Sequence, residues 1–499
     1  MKRGSGVLLH ISSLPGPYGL GCFGEEALTF AHSLKKAGMT YWQVLPFSVP
    51  GSGNSPYMSL SAFAGNPMLI DPDSLFRQGL ITEEERAGSE IPGDPYVANF
   101  SDCKKKRSIV LRKAYSRITG RIREEVESFI REQDWVDDLA LFLLIRNQND
   151  GKYWWEWTDE DLRRHDSYSL AAHRDRFRNE YLYYCFVQYL FFSQWSDLKK
   201  EINRLGIQII GDIPIYVSRD SVDVWAHRKL FRIDDRLVFP KVAGVPPDYF
   251  TSKGQLWGNP LYDWKKHADE DYRWWRSRLS NNFEIYDLLR IDHFRGFSSY
   301  WSVSSDREDA VIGEWESGPG FSFFDRLRLD FPEPAIFAED LGEPTEDLTD
   351  FLDKVGFPGM RVFQFGFEGE ADNKHRPHDY PKACVAYSGT HDNDTLIGWY
   401  RSLPEKNAEV VLDYLGLSLF PSSEITEENI SKSSIRAIIG SPADLVIFPF
   451  QDLLHMNSSR RMNIPGTRSG NWAVRFSREE LDRIDARWIF RMNRLCGRI

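Results

Sequence analysis

The sequence has few cysteines, and their distribution argues against two kinds of site. Five cysteines occur among 499 residues, at positions 22, 103, 185, 384 and 496, and no two of them form a Cys-x-x-Cys pair. An odd and scattered set does not suit a disulfide framework, and it lacks the spacing of a zinc site. We therefore expect a protein of a reducing compartment, the cytoplasm.

The chain also lacks a long apolar run and an excess of positive charge. Residues 7–9 are too short an apolar run for a secretion signal, and residues 181–195 are interrupted by Gln188 and Gln194, which favours a buried helix over a membrane span. The formal net charge of −11 makes nucleic acid and anionic membranes poor candidate partners.

The glycine-rich residues 51–57 lack the lysine of a phosphate-binding loop, so we reject nucleotide binding.

Aromatic residues, by contrast, are abundant. They make up 14% of the chain and include 16 tryptophans, within a composition that is 41% hydrophobic and 27% charged and therefore typical of a soluble globular protein. Sugar rings present apolar C–H faces that pack on aromatic rings, although a protein core also uses such residues. The composition is thus compatible with a carbohydrate ligand.

Eight apolar runs alternate with helical stretches, which predicts an α/β fold of the (β/α)₈ barrel type. The runs are residues 6–12, 41–46, 207–215, 286–291, 335–340, 360–367, 384–388 and 445–450. We expect one barrel domain over residues 1–499, with a largely helical insertion at residues 71–174 between the second and third strands. Smaller loop insertions are expected at residues 242–285 and 298–333, and too little chain follows the eighth strand for a C-terminal β domain.

Four of the runs end in acidic or histidine side chains. Barrel enzymes carry their reactive groups at the C-terminal ends of the strands, so these side chains are expected to meet. They are Asp212 at the third run, Arg290, Asp292 and His293 at the fourth, Glu339 and Asp340 at the fifth, and His391 and Asp392 at the seventh. Arg290 and Asp292 are two residues apart, so on a strand they share a face, either as a structural pair or as an oriented nucleophile.

This set of carboxylates is typical of a retaining glycosidase. One carboxylate attacks the anomeric carbon, another protonates the leaving oxygen, and a third, here Asp392, could bind the sugar hydroxyls. A binuclear metal centre is the rival interpretation, because Asp and His at barrel strand ends also build such centres. Arg290 is not a metal ligand, so we favour the carboxylate pair and expect neither a metal nor a cofactor.

Several segments carry a family resemblance. The first group is Arg290-Ile-Asp292-His293, Ala338-Glu339-Asp340-Leu-Gly342 and Gly389-Thr-His391-Asp392-Asn393-Asp394. The second group is Ser55-Pro-Tyr57, Ala62-Phe-Ala-Gly-Asn-Pro67, Gly244-Val-Pro-Pro-Asp248-Tyr-Phe250, Gly254-Gln255-Leu-Trp257-Gly-Asn-Pro260 and Arg461-Met-Asn463. The first group resembles the signature regions of the α-amylase clan. The second is similar to the amylomaltases, or 4-α-glucanotransferases, of glycoside hydrolase family 77.

The resemblance implies a 4-α-glucanotransferase that acts on malto-oligosaccharides and α-1,4-glucans without a cofactor. It implies Asp292 as nucleophile, Glu339 as acid/base and Asp392 as transition-state stabiliser. The residues implied in substrate binding or its support are Ser55, Tyr57, Asp212, Asp248, Gln255, Trp257, Arg290, His293, Asp340, His391 and Asn463. An α-1,4-glucan hydrolase and a glucan-binding protein without turnover remain as alternatives. Ser52 stands where some family members carry a tyrosine, which leaves acceptor preference and large-ring formation open.

Overall fold

The computed structural model describes residues 1–247, 252–342, 346–367, 373–467 and 469–499, except for the side chains of Ser52, Glu346 and Asp347. The strands in these ranges are β1 (Gly4–Leu8), β2 (Tyr41–Gln43), β3 (Gln208–Pro214), β4 (Lys241–Val245), β5 (Gln255–Pro260), β6 (Leu288–Asp292), β7 (Ser299–Ser304), β8 (Glu314–Ser317), β9 (Ile336–Ala338), β10 (Gly359–Val362), β11 (Cys384–Tyr387) and β12 (Leu445–Pro449).

The α-helices follow and flank these strands. They are α1 (Glu25–Lys36), α2 (Pro72–Arg77), α3 (Glu83–Gly88), α4 (Phe100–Ser116), α5 (Gly120–Glu132), α6 (Trp135–Gln148), α7 (Glu160–Arg163), α8 (Ser167–Arg176), α9 (Arg178–Arg204), α10 (Val222–Ala226), α11 (Trp264–Asp269), α12 (Arg273–Ile285), α13 (Phe321–Asp330), α14 (Glu346–Val355), α15 (Leu396–Ser402), α16 (Glu405–Tyr414), α17 (Glu427–Gly440), α18 (Phe450–Leu453), α19 (Arg478–Asp482) and α20 (Ala486–Leu495).

Eight parallel strands form the barrel. Hydrogen-bonded neighbours run in the order β10, β11, β12, β1, β2, β3, β6 and β9. The remaining gap, between β9 and β10, is bridged where the Ala338 N–H donates to the Pro358 carbonyl at 2.8 Å. Beside it the Met360 N–H donates to the Asp340 carboxylate at 2.6 Å. The (β/α)₈ barrel predicted from the eight apolar runs is confirmed.

Apolar side chains fill the barrel interior, so it is a packed core and not a channel. Leu8, Ile210, Phe337, Met360 and Ile447 meet there, each at most 6% exposed. A second and larger apolar cluster joins the outer faces of the strands to the surrounding helices. Because the core covers one face of each barrel strand and the helices cover the other, the sequence of each strand is a nearly continuous apolar run.

Helices α2 to α9 lie between β2 and β3, where the sequence predicts a helical insertion. The long α9 buries much of one side, including Tyr181, Phe186, Leu190 and Trp195. Among the described residues, no helix is long and apolar enough to cross a membrane. The division of the chain into one barrel domain with insertions stays a prediction.

The segments predicted as smaller loop insertions hold an antiparallel sheet that the sequence analysis missed. Its strand order is β5, β4, β7 and β8. Tyr300 on β7 is buried, whereas Trp315 on β8 is 45% exposed, so the sheet has one covered and one more open side. The sheet presents β5, and with it Gln255 and Trp257, to the C-terminal mouth of the barrel.

Candidate active site

A cleft of about 1350 Å³ opens over the C-terminal ends of the barrel strands. The predicted site residues that line it are Ser55, Tyr57, Gln255, Trp257, Asp292, His293, His391, Asp392 and Asn463. They come from the C-terminal ends of β2, β6 and β11 and the loops that follow them, from β5 and from the segment after β12. The barrel thus gathers side chains that are as far apart in the chain as Ser55 and Asn463.

Arg290 is the centre of a buried ion-pair network. The register of β3 and β6 sets Asp212 beside Arg290, and the arginine Nη1 donates to Asp212 Oδ2 at 2.6 Å. Its Nη2 lies 2.7 Å from Asp292 Oδ1. Arg290 is 4% exposed and Asp212 fully buried, whereas the Asp292 side chain is 32% exposed. Asp292 is thus oriented from behind and accessible from the cleft.

Glu339 lies at the end of the neighbouring strand, β9. Its N–H donates to the Ile291 carbonyl at 3.0 Å, which ties it to the strand that carries Asp292. Its carboxylate accepts the N–H of His293 at 2.9 Å and that of Leu341 at 2.8 Å. Burial raises the pKa of Glu339 to about 7; the charge of Asp292 adds to the shift and that of Arg290 opposes it. The group therefore holds or releases a proton near neutral pH.

His293 has a left-handed backbone conformation, with φ of 54° and ψ of 48°. Such values are uncommon outside glycine and occur often at functional sites. Here they aim the His293 N–H at Glu339 and its ring at the cleft. Burial lowers the pKa of His293 to about 4, so the imidazole is neutral at pH 7.

Asp392 belongs to the loop between β11 and α15. Asn463 Nδ2 donates to its Oδ1 at 2.6 Å, and His391 Nε2 lies 3.4 Å from its Oδ2. Arg461 donates to its carbonyl at 2.5 Å. With 46% of its side chain exposed, Asp392 is fixed on its protein side and faces the cleft.

Tyr57 connects the ion-pair network of Asp212 and Arg290 with the loop that carries His391 and Asp392. Its hydroxyl donates to Asp212 Oδ2 at 2.8 Å and lies 3.4 Å from His391 Nδ1. Its ring stacks on the His391 ring, with centroids 5.0 Å apart and planes at 17°. Ser55 is also at the cleft, where its Oγ accepts the Tyr57 N–H at 3.3 Å. The loop predicted as a ligand contact is thus bonded directly to the carboxylate network.

Trp257 forms the aromatic wall of the cleft. Its ring meets the His293 ring edge to face at 4.7 Å and 86°, and its Nε1 donates to Gln255 Oε1 at 3.1 Å. Tyr216 also lines the cleft, 6.3 Å from Trp257 between ring centroids, and the sequence analysis missed it. The available signal was its position directly after the third apolar run.

Some predicted residues lie behind the cleft surface. Arg290 and Asp212 contact Asp292 and Tyr57 and do not line the cleft, and Asp340 binds the Met360 N–H and lies 3.4 Å from Arg361. Asp248 lies outside the described residues. The sequence places Arg461 in a family motif without predicting a role for it, whereas the structure shows that it donates to the Asp392 carbonyl. Within the described part of the chain, no three His, Cys, Asp or Glu side chains are grouped as a metal site requires.

A family model described as 4-alpha-glucanotransferase matches residues 9–481. The chain belongs to this family. A 4-alpha-glucanotransferase of Thermus thermophilus is 41% identical over 489 residues, covering 96% of each chain. One from Clostridium butyricum is 39% identical over 493 residues, covering 98% of this chain and all of its own.

Two solved amylomaltase structures have the fold of this chain. The amylomaltase from Streptococcus agalactiae, in complex with acarbose, matches over the whole of both chains with a TM-score of 0.95 and 37% identity. The amylomaltase from Corynebacterium glutamicum has the same fold, with a TM-score of 0.80, 18% identity and coverage of 100% of this chain and 75% of its own. The motifs predict a 4-alpha-glucanotransferase, and these comparisons confirm that prediction.

Proposed function

We propose that this 4-alpha-glucanotransferase moves α-1,4-glucan segments between malto-oligosaccharides by a retaining double displacement. In this proposal Asp292 is the nucleophile, Glu339 the acid/base and Asp392 the transition-state stabiliser. The observation that carries the proposal is the contrast between two neighbouring carboxylates. Asp292 is ion-paired with Arg290, whereas burial raises the pKa of Glu339 to about 7. Different environments assign the roles of nucleophile and acid.

In the first step a carboxylate oxygen of Asp292 attacks the anomeric carbon, and the bond from that carbon to the glycosidic oxygen breaks. Glu339 gives its proton to this oxygen, so the leaving glucan departs with a free 4-hydroxyl. The anomeric carbon carries positive charge in the transition state. The Asp392 carboxylate, held by Asn463 and facing the cleft, supplies negative charge and hydrogen-bond acceptors to the sugar.

In the second step the 4-hydroxyl of an acceptor glucan attacks the glucosyl ester, and Glu339 takes the hydroxyl proton. The ester bond breaks and Asp292 regains its negative charge. Water is a competing acceptor, so transfer requires a positioned glucan, and positioning supplies effective molarities of about 10⁵ M or more. We assign this positioning to the aromatic wall of Trp257 with Gln255, which lies beside His293 and hence beside Glu339.

The buried residues of the site have supporting roles in this mechanism. Arg290 orients Asp292, Asp212 in turn fixes Arg290, and the Tyr57 hydroxyl donates to Asp212. Asp340 holds β10 against the end of β9, directly after Glu339. We propose that Ser55, Tyr57, His293, His391 and Asn463 contact the glucan, because their side chains line the cleft.

The source of the glucan and the compartment are further parts of the proposal. Malto-oligosaccharides released from starch or glycogen fit an open cleft of about 1350 Å³, which has room for several sugar rings. All five cysteines are free and four of them are buried, as suits a reducing compartment such as the cytoplasm.

Incubation with maltotriose tests the activity. We expect glucose and a ladder of longer maltodextrins, with little net gain of reducing ends, because each bond broken is replaced by another. A rise of reducing ends in step with substrate loss, without longer products, would identify a hydrolase. Binding of maltotriose without any product would identify a glucan-binding protein.

A further inference from the structure

Asp452 is a strand-end carboxylate that the mechanism above does not use. It follows β12 within α18, and it is 1% exposed. A buried carboxylate is costly unless its oxygens accept hydrogen bonds. The partners of this side chain therefore indicate what it stabilises.

Both carboxylate oxygens of Asp452 hold the same loop. Oδ2 accepts the Ser388 hydroxyl at 2.6 Å, and Oδ1 accepts the Leu396 N–H at 2.8 Å. Ser388 directly follows β11, and Leu396 is the first residue of α15. Asp452 itself is fixed from behind, because Ser431 Oγ donates to its carbonyl at 2.9 Å.

The loop between these two points, residues 389–395, carries His391 and Asp392. Its interior is braced by its own side chains: the Thr390 N–H and hydroxyl donate to Asn393 Oδ1 at 2.8 and 2.9 Å. Gln364 Nε2, from the segment after β10, donates to the Asp394 carbonyl at 2.8 Å. A loop that is rigid within itself moves as a unit, so its two ends contribute to the position of Asp392 beside the direct contacts from Asn463 and Arg461.

We propose that Asp452 is a positioning residue for Asp392, which it holds at the sugar-binding position by fixing both ends of this loop. The inference rests on the proposed role of Asp392 in the transfer reaction. Burial raises the pKa of Asp452 to about 7. Either protonation state keeps the bond to Ser388, because a hydroxyl both donates and accepts.

Three variants separate the contacts of Asp452. Asp452→Ala removes both, and kcat/KM for maltotriose should fall about 10- to 100-fold, because a misplacement of about 1 Å costs about that much. Asp452→Asn should restore activity, since its amide oxygen accepts the Leu396 N–H and its NH₂ donates to Ser388. Ser388→Ala removes one contact and should have an intermediate effect.

Asp71→Ala is the matched control. Asp71 is equally buried and accepts the backbone N–H groups of Asp73 and Ser74, but it caps α2 and does not line the cleft. Its loss should lower the melting temperature and leave kcat/KM of the folded enzyme unchanged. If Asp452→Ala behaves in the same way, Asp452 has a structural role only and the inference is wrong.

A double-mutant cycle then asks whether Asp452 acts through Asp392. The readout is the calorimetric Kd of a cationic imino-sugar inhibitor, which requires no turnover. Asp452→Ala should weaken binding in the wild-type background and have little effect in an Asp392→Asn background. An equal loss in both backgrounds overturns the inference. If Asp452→Ala does not fold, the Ser388→Ala variant enters the same cycle with the same expected outcomes.

The two proposals fail differently. If Asp392→Asn alone leaves turnover and inhibitor binding intact, the proposed function of Asp392 is wrong, and the inference falls with it. If Asp392→Asn is impaired but the Asp452 effect is absent or additive, only the inference is wrong.

Discussion

At the scale of single residues, the proposed role of Asp292 depends on its ion pair with Arg290. Arg290 Nη2 lies 2.7 Å from Asp292 Oδ1, so we propose that the other carboxylate oxygen attacks the sugar. Asp292→Asn should abolish turnover with every donor, since an amide is a poor nucleophile and forms no glucosyl ester. A slow fluoro-sugar donor should label Asp292 of the wild type, as mass spectrometry of the digested protein would show. A label on Glu339 or Asp392 instead would contradict the assignment.

The proposed acid role of Glu339 predicts a dependence on pH. In the proposed mechanism the first step needs its proton, and burial raises its pKa to about 7, so kcat/KM for maltotriose should fall as the pH rises through about 7. Glu339→Gln should lower this rate about 10²- to 10⁴-fold. A glucosyl fluoride needs no protonation, so ester formation from it should be largely spared in the variant. An equal loss with both donors would exclude the acid role.

The raised pKa of Glu339 also affects the free energy of unfolding. Because the pKa of Glu339 is higher in the folded protein than its usual 4.5, the native state binds the proton more tightly. This stabilisation is present at low pH and is lost as the pH rises from about 4.5 through 7. Glu339→Gln should therefore raise the melting temperature relative to the wild type more at pH 8 than at pH 4.

At the scale of elements, β5 carries Trp257, which we propose positions the acceptor and excludes water. Trp257→Ala removes the ring that packs on His293, so water should compete better for the glucosyl ester. The ratio of hydrolysis to transfer should rise, measured as new reducing ends per maltotriose consumed, while the ester still forms. Trp315→Ala is the control, because this half-exposed ring is in the same sheet but does not line the cleft. An unchanged ratio in Trp257→Ala would contradict the role.

The sequence was sufficient to predict the barrel strands, because strands covered on both faces are long apolar runs. The first and last residues of the strands were less well predicted. The first run suggested residues 6–12, but β1 is Gly4–Leu8, since Gly4, Ser5 and Gly6 are buried without being apolar. A Cβ at Gly6 would lie 2.5 Å from the Tyr41 carbonyl oxygen, which only glycine avoids.

The antiparallel sheet could not be predicted in the same way. Polar residues interrupt its strands β5 and β7, β8 is mostly exposed and polar, and β4 pairs with β7 across about sixty residues. For the site, the strand-end rule predicted the carboxylates. The contacts of Tyr57 with Asp212 and of Asn463 with Asp392 depend on tertiary structure, and no local pattern contains them.

At the scale of the whole molecule, the opposite end of the barrel is held by Arg498. This arginine is 2% exposed and donates to the carbonyls of Gly4, Ile439, Ser441 and Asp444. Arg498→Ala should reduce the free energy of unfolding by roughly 3 kcal/mol, because four carbonyls that are buried or partly buried lose a charged donor. Denaturant titration would measure this loss, and kcat of the folded enzyme should be unchanged.

The control for this prediction lies on α20, the helix that ends just before Arg498. Arg491 in α20 is exposed, so Arg491→Ala should change the stability little. If Arg498→Ala lowered kcat in the folded enzyme, the two ends of the barrel would be coupled more strongly than the contacts indicate.

The position of Arg290 between two acids also bears on where negative charge lies during the proposed reaction. In the resting site one guanidinium faces two carboxylates, Asp212 and Asp292. When Asp292 becomes an ester, it loses its charge and the guanidinium faces Asp212 alone. In the proposed mechanism Glu339 has given up its proton at this stage, so the negative charge that leaves Asp292 appears on Glu339. Attack by an acceptor reverses this shift: Glu339 takes the acceptor proton, and the charge returns to Asp292 beside Arg290.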